Sequence, residues 1–107
     1  MTESQYQTLK AYCLRHRTDH PYLGPGQYRG TPYEEGVLSF VSRLSDLHRQ
    51  GVTEVGEALV RFRRNKARYN PYSGRRKERF LDGVDFCLKK ARSVLGTELT
   101  EAEAEAE

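Results

Sequence analysis

The sequence lacks any apolar run close to the ~20 residues that a membrane-spanning helix needs, so we expect no membrane association. Its N-terminus, MTESQYQTLK, has no charged stretch followed by an apolar one, which argues against a secretory signal. It has only two cysteines, Cys13 and Cys87, 74 residues apart. We expect these to be reduced, half-buried thiols and not a disulfide. Together these absences predict a cytoplasmic protein.

Sequence motifs of catalysis are also missing. There is no Gly-x-Ser-x-Gly turn, no Gly-x-x-x-x-Gly-Lys phosphate loop, and no pair of carboxylates with a histidine base. Cys13, His16 and His20 have the Cys-x2-His-x3-His spacing that metal ligands can have, but a fourth ligand is not evident. We therefore predict a binding module and not an enzyme, with no metal or other cofactor.

Apolar residues recur at helical spacing in four segments, about residues 3–17, 32–50, 53–67 and 75–95. The second segment has the clearest start, because Thr31 can cap it, Pro32 follows, and Glu34 completes a capping box. Gly51 is expected to end it. No segment alternates as a strand would. The sequence predicts an all-α domain over residues 1–97, followed by a disordered acidic tail, LTEAEAEAE.

The four helices are predicted to form two tandem helix-turn-helix hairpins, about residues 3–50 and 52–96, which resemble each other. The offset is 50 up to the turns, where Pro21-Tyr22 matches Pro71-Tyr72, and 47 beyond them, where Gly36 matches Gly83. A glycine inside a helix costs ~1 kcal/mol relative to alanine, so two matched ones indicate a packing reason. The simplest reasons are a close neighbouring backbone or the turn tyrosine. We expect Tyr22 to pack over Gly36 and Tyr72 over Gly83, in two copies related by approximate two-fold symmetry.

Charge is distributed in blocks that the net value of +3 conceals. Residues 1–60 carry 6 Lys/Arg against 7 Asp/Glu, residues 61–92 carry 12 against 3, and residues 93–107 carry 5 Glu and no base. A hairpin brings the end of one helix beside the start of the next, so the basic block should lie at one end of the molecule. Five bases within eight residues of the third helix cannot all share one face. The predicted anion-binding residues are Arg61, Arg64, Arg68, Tyr69, Tyr72, Arg75, Arg76, Lys77 and Arg79.

The second hairpin resembles the ribosome modulation factor family. The resemblance rests on Asn70-Pro71-Tyr72, a basic stretch from Arg75 to Arg79, and Phe80-Leu81-Asp82-Gly83-Val84. It covers about residues 58–92, and more faintly residues 9–44. It implies an RNA-binding helical hairpin that docks on the small ribosomal subunit. The chain departs from the family in having two hairpins, bases where the first helix usually has glycines, and valine in place of a second aromatic.

Two functional hypotheses follow from these patterns. The first is an RNA-binding, ribosome-associated regulator in which the bases contact phosphates and the tyrosines stack on unpaired bases. The alternative is a protein-binding regulator or inhibitor, of the kind that small mobile-element proteins often are. It would contact an acidic partner through the basic end, or any partner through the loop that carries Tyr22, Tyr28 and Tyr33. Homodimerisation stays open under both, and the tail is either an internal competitor or a solubility device.

Overall fold

Four helices make up the part of the chain that this computed structural model describes, residues 1–18, 31–96 and 99, with backbone alone at 17 and 18. They are α1 (Glu3–Thr18), α2 (Pro32–Arg49), α3 (Val55–Arg68) and α4 (Gly74–Leu95). These ranges contain no strand, so the predicted all-α class with four helices is confirmed. None of the described helices has the length and apolar character needed to cross a bilayer.

The predicted cap at Thr31 and the predicted end of α2 at Gly51 are both confirmed. The Thr31 hydroxyl accepts a hydrogen bond from the Glu34 N–H at 3.2 Å, which satisfies one of the free donors of the first turn. After the last turn Gly51 has a φ of +67°, and the N–H groups of Gly51 and Val52 bond back to carbonyls of that turn at 3.1 Å each. This is the Schellman arrangement, in which glycine is favoured because it adopts a positive φ without strain.

The centre of the molecule is a close crossing of α2 and α4, which make the most extensive contact between any two helices. A Cβ added at Gly36 would lie 2.1 Å from the carbonyl oxygen of Phe80, and one added at Gly83 would lie 2.3 Å from that of Tyr33. Gly36 and Tyr33 correspond to Gly83 and Phe80 at the offset of 47, so the contact is reciprocal. Only glycine permits two helix backbones to approach this closely. Duplication of the hairpin stays a prediction that accounts for this reciprocity.

The prediction that Tyr72 packs over Gly83 is wrong. The nearest atoms belong to the backbone of Tyr33 and its neighbours on α2, and not to Tyr72. The physical reason is that a missing side chain leaves room for whichever group comes closest, and here a whole helix backbone does. The corresponding predictions for Tyr22 and for the turn at Pro21 concern residues outside the described ranges.

The core lies between the α2–α4 pair and the two flanking helices. Cys13 and Cys87 are fully buried in it, not half-buried as predicted, and both are free thiols. Burial raises the pKa of the Cys87 thiol, and the adjacent Cys13 thiol raises it further. Leu99 is also fully buried in this core. The domain therefore extends beyond the predicted limit of residue 97, because the first apolar side chain of the acidic tail joins the core.

Helix α4 has a neighbour on each side, and this arrangement positions its outer surface. On one side Gln5 of α1 donates a hydrogen bond from Nε2 to the Val94 carbonyl oxygen at 3.3 Å. On the other side Arg63 of α3 contacts Asp85. Between these two lines of contact α4 carries a stripe of exposed residues that the half-buried Phe86, stacked on His16, interrupts. We call the exposed residues of this stripe the α4 face, and they are Arg75, Arg79, Asp82, Lys89 and Ser93.

Candidate nucleic-acid interface

The turn between α3 and α4 is held by Asn70. Its Oδ1 accepts a hydrogen bond from the Tyr72 N–H at 2.9 Å, and its Nδ2 donates to the Lys66 carbonyl oxygen at 3.2 Å. The first bond closes an Asx turn around the exposed Pro71, and the second satisfies a carbonyl that the end of α3 leaves free. Asn70 thereby fixes the end of α3 close to the start of α4, which is where the bases cluster.

Three of the five bases of α3 do share a face. Arg61, Arg64 and Arg68 are spaced by three and four residues and all are exposed, so they form one outward stripe. Arg61 forms an ion pair with Glu57 at 2.7 Å, one turn earlier on the same helix. Both partners of this pair are more than half exposed, and such pairs contribute little to stability. Arg61 can therefore exchange its carboxylate for a phosphate at small cost.

The other two bases of α3 have structural contacts. Arg63 donates from Nε and Nη2 to the two carboxylate oxygens of Asp85 at 3.0 and 3.1 Å, a two-pronged bond that raises the pKa of Arg63 and ties α3 to α4. The Lys66 ammonium lies 5.7 Å from the centre of the Phe62 ring. The structure thus separates the half-buried Arg63 and Lys66 from the exposed Arg61, Arg64 and Arg68.

The start of α4 adds the densest group of cations. Its first turn contains no acid, and Glu78 is the only acid between residues 68 and 79. Among the described residues, no carboxylate forms an ion pair with any of five bases in this stretch. All five except Lys77, which is half-buried, are exposed. They are Arg68, Arg75, Arg76, Lys77 and Arg79.

The two predicted stacking residues differ in their surroundings. Tyr69 is 69% exposed at the end of α3 and is free to meet a base. Tyr72 is half-buried with its ring centre 6.4 Å from that of Phe80. Its hydroxyl donates to the Glu35 carboxylate, and this bond raises the pKa of Tyr72. Tyr72 therefore anchors the turn to α2, and Tyr69 is the better candidate for stacking.

A second group of bases, not predicted from the sequence, lies beside α1. Lys89 and Lys90 of α4 were counted in the basic block but were not singled out, and neither was Tyr12. The structure brings Lys90 over the Tyr12 ring, with Nζ 5.7 Å from its centre. The signal that would have found this surface is the absence of acids from residues 4–18 and 86–96.

The opposite side of the molecule has a different character. At the offset of 47, the α2 residues Glu35, Ser42 and Asp46 correspond to Asp82, Lys89 and Ser93 of the α4 face. A shallow groove of about 450 Å³ lies here between α2 and α3, and its lining has equal numbers of acids and bases. The α4 face is therefore basic, whereas the groove on the opposite side is neutral overall. The lining residues are Glu35, Leu38, Ser39, Ser42, Arg43, Asp46, Phe62 and Lys66.

Within the described ranges, no three His, Cys, Asp or Glu side chains are grouped as a metal ion would require. His16 is stacked on Phe86 with ring centres 3.5 Å apart, and its Nε2 shares a hydrogen bond with the Tyr33 hydroxyl at 2.7 Å. Tyr33 is thus engaged with the fold and is not displayed for a partner. Cys13 is buried in the core, and His20 lies outside the described residues.

Tyr33 gives an expectation for stability at alkaline pH. Burial is the main reason that its pKa is raised from 10.0 to about 12. Below pH 10 the phenol is neutral in both states. Between pH 10 and 12 it ionises in the unfolded chain while the folded protein retains the proton, so stability falls as the pH rises. The contribution is at most about 1.4 kcal/mol per pH unit, and smaller because the ring is only half-buried.

Urea unfolding of wild type and Tyr33→Phe at pH 9, 10 and 11 measures this contribution. The loss of stability with rising pH should be shallower in the variant, whatever its stability at pH 9. Parallel pH profiles for the two proteins would show that Tyr33 ionises alike in the folded and unfolded states.

No protein-family model, curated protein or solved structure matches this chain. Its function must therefore be argued from its own residues.

Proposed function

We propose that this protein is a small RNA-binding module that acts as a ribosome-associated regulator in the cytoplasm. The observation that carries the proposal is the group of five cations between residues 68 and 79 that form no ion pair with a described carboxylate. We call this group the basic end. The ribosome as target, and ribosomal RNA as ligand, rest on the resemblance of the second hairpin to the ribosome modulation factor family.

A charge cluster of this kind is unfavourable unless an anion is present. Cations in the first turn of a helix oppose its dipole, at about 0.3–1 kcal/mol each, and they repel one another and Arg68. A single phosphate would relieve only part of this repulsion, whereas a nucleic-acid backbone presents several phosphates in a row. The exposed Tyr69 beside Arg68 adds a surface on which an unpaired base can stack. Convergent cations next to an exposed aromatic favour RNA over a small anion.

The second candidate is a protein partner, and the groove between α2 and α3 is the observation that favours it. Its lining mixes Phe62 and Leu38 with serines and charges of both signs, as surfaces for protein contact often do. A partner seated there would leave the basic end uncovered. An acidic protein on the basic end is the other form of this alternative.

Purification of the tagged protein from native lysate at low salt, with half of the sample treated with nuclease, separates the two candidates. Ribosomal RNA or ribosomal subunits that are lost with nuclease support the proposal. A stoichiometric protein that remains after nuclease treatment supports the alternative.

Titration of the purified protein with single-stranded RNA then tests the proposed contacts. If all five cations of the basic end meet phosphates, the logarithm of the binding constant should fall with the logarithm of salt with a slope of about −3.5. Affinity should then drop about 100-fold between roughly 50 and 200 mM salt. A slope near zero would contradict phosphate binding.

A further inference from the structure

The only large hydrophobic side chains that are exposed in the described part of the chain are two tyrosines, Tyr12 at 42% and Tyr69 at 69%. Tyr69 belongs to the proposed interface at the end of α3. Tyr12 lies on α1, on the other side of α4, and no part of the proposed function uses it. An exposed aromatic ring is unremarkable alone, so its surroundings decide whether it can bind a ligand.

The described part of the chain around Tyr12 is basic. Helix α1 has no acid after Glu3, and α4 has none from residue 86 to its end. Glu3 lies at the start of α1, far from Tyr12 along the helix, and is paired with His48. Lys89 is exposed, and among the described residues neither it nor Lys90 forms an ion pair. Among the described residues the nearest acid on α4 is Asp85, one turn before Lys89, and it is paired with Arg63. The described surface between α1 and α4 thus carries a net positive charge.

The Lys90 ammonium is held in place by two rings. Its Nζ lies 5.7 Å from the centre of Tyr12 and 5.6 Å from the centre of Phe86, within the range of cation–π attraction. Phe86 is itself stacked on His16. A cation and an exposed ring are therefore positioned side by side before any ligand arrives, so ordering them costs little on binding.

The α4 face joins this surface to the basic end. Arg79 and Lys89 are both exposed on it, with Asp82 as its single acid. A chain of phosphates that contacts the basic end can continue from Arg79, past Asp82 and the Phe86 ring, to Lys89 and Lys90. Tyr69 and Tyr12 then lie at the two ends of this path, on opposite flanks of α4.

We infer that Tyr12, Lys89 and Lys90 form a second binding site for the same RNA, and that this RNA is single-stranded. The inference rests on the proposed function. Only an unpaired strand offers base faces to two separate tyrosines, since the bases of a duplex are stacked on one another. Stacking of this kind tolerates any base and is worth about fivefold or more in affinity per ring.

The protein contains no tryptophan, so a single introduced tryptophan reports on one place. Three single variants are titrated with a single-stranded RNA of about 12 nucleotides, a length within the usual range of such sites, and with the corresponding duplex. Tyr12→Trp and Tyr69→Trp place the probe at the two proposed stacking positions. Ser42→Trp places it on the exposed side of α2 as the control. We expect the single strand to quench fluorescence at positions 12 and 69 but not at 42.

Affinities of Tyr12→Ala and of Lys89→Gln/Lys90→Gln, measured by the anisotropy of labelled RNA, complete the test. Each should weaken binding about fivefold or more. Circular dichroism should be unchanged, because Tyr12 and Lys89 are exposed and glutamine keeps most of the half-buried Lys90 side chain. If wild type binds RNA but Tyr12→Trp is not quenched and Tyr12→Ala binds as wild type does, the second site is wrong and the proposed function stands. If wild type binds no RNA, both are wrong. Equal affinity for the duplex without quenching would overturn the single-stranded ligand.

Discussion

Alanine in place of Gly36 or Gly83 is expected to lower the free energy of unfolding by about 2–3 kcal/mol, although alanine is the better helix former by about 1 kcal/mol. The new methyl carbon would lie 2.1 Å from the Phe80 carbonyl oxygen in one variant and 2.3 Å from the Tyr33 carbonyl oxygen in the other. Both obstacles are backbone atoms, which cannot rotate away. The helices must separate instead, and the core between them loses close packing.

Urea unfolding followed by circular dichroism measures this loss, which is a large part of the ~5–15 kcal/mol that stabilises a typical domain. Ser42→Ala is the matched control, because it adds no atom and lies on the exposed side of α2. It should change stability by less than about 0.5 kcal/mol. A stabilised Gly36→Ala variant would show that helix propensity, and not the crossing, governs this position.

The double variant Gly36→Ala/Gly83→Ala tests whether the two glycines serve a single contact. Once the first methyl has separated α2 from α4, the second meets less resistance, so the combined loss should be smaller than the sum of the two. Additive losses would mean that the two glycines act in independent contacts.

Reversal of charge at the basic end should remove most RNA binding. Arg75→Glu/Arg76→Glu deletes two of the five proposed phosphate contacts and adds two repulsive charges next to the remaining three. We expect affinity at low salt to fall about 100-fold, and the salt slope to shrink from about −3.5 to about −2. The fold should tolerate the change, because both side chains are exposed and acids suit the first turn of a helix.

The control for this variant is Arg43→Glu/Arg49→Glu on the opposite side of the molecule. Each pair of substitutions changes the net charge from +3 to −1, so a general effect of charge would weaken both variants equally. A site at the basic end predicts a much smaller effect for the control. Equal affinity of wild type and Arg75→Glu/Arg76→Glu would reject the proposed interface.

Local sequence determined where the helices form. Helix α2 begins after Thr31 and ends before Gly51. Capping needs only a hydroxyl at the start of a helix and a positive φ after its end, and a single residue supplies each. The paired glycines likewise indicated a close approach. They did not indicate which group approaches the glycine, since an absent side chain carries no information about its neighbour. The prediction that Tyr72 packs over Gly83 was wrong for that reason.

The composition of the candidate site could also be predicted from the sequence, because its seven cations lie close together in the chain. Helical spacing also separated Arg61, Arg64 and Arg68 from Arg63 and Lys66. The sequence did not show that Arg63 contacts Asp85, because that contact depends on the direction from which α4 packs against α3. The charge count over residues 1–60 concealed the positive charge of α1, because the same range includes acids elsewhere.

The sequence by itself thus determined the all-α class, the helix bounds to within two residues, and the position of the basic block along the chain. Helix caps, periodicity and charge runs are properties of neighbours in the chain, within a few residues of one another. The tertiary structure alone decided that α2 crosses α4 at two glycines, that Leu99 joins the core, and that Tyr12 meets Lys90. Those contacts join residues far apart in the chain, and they depend on how whole helices pack, which no local pattern encodes.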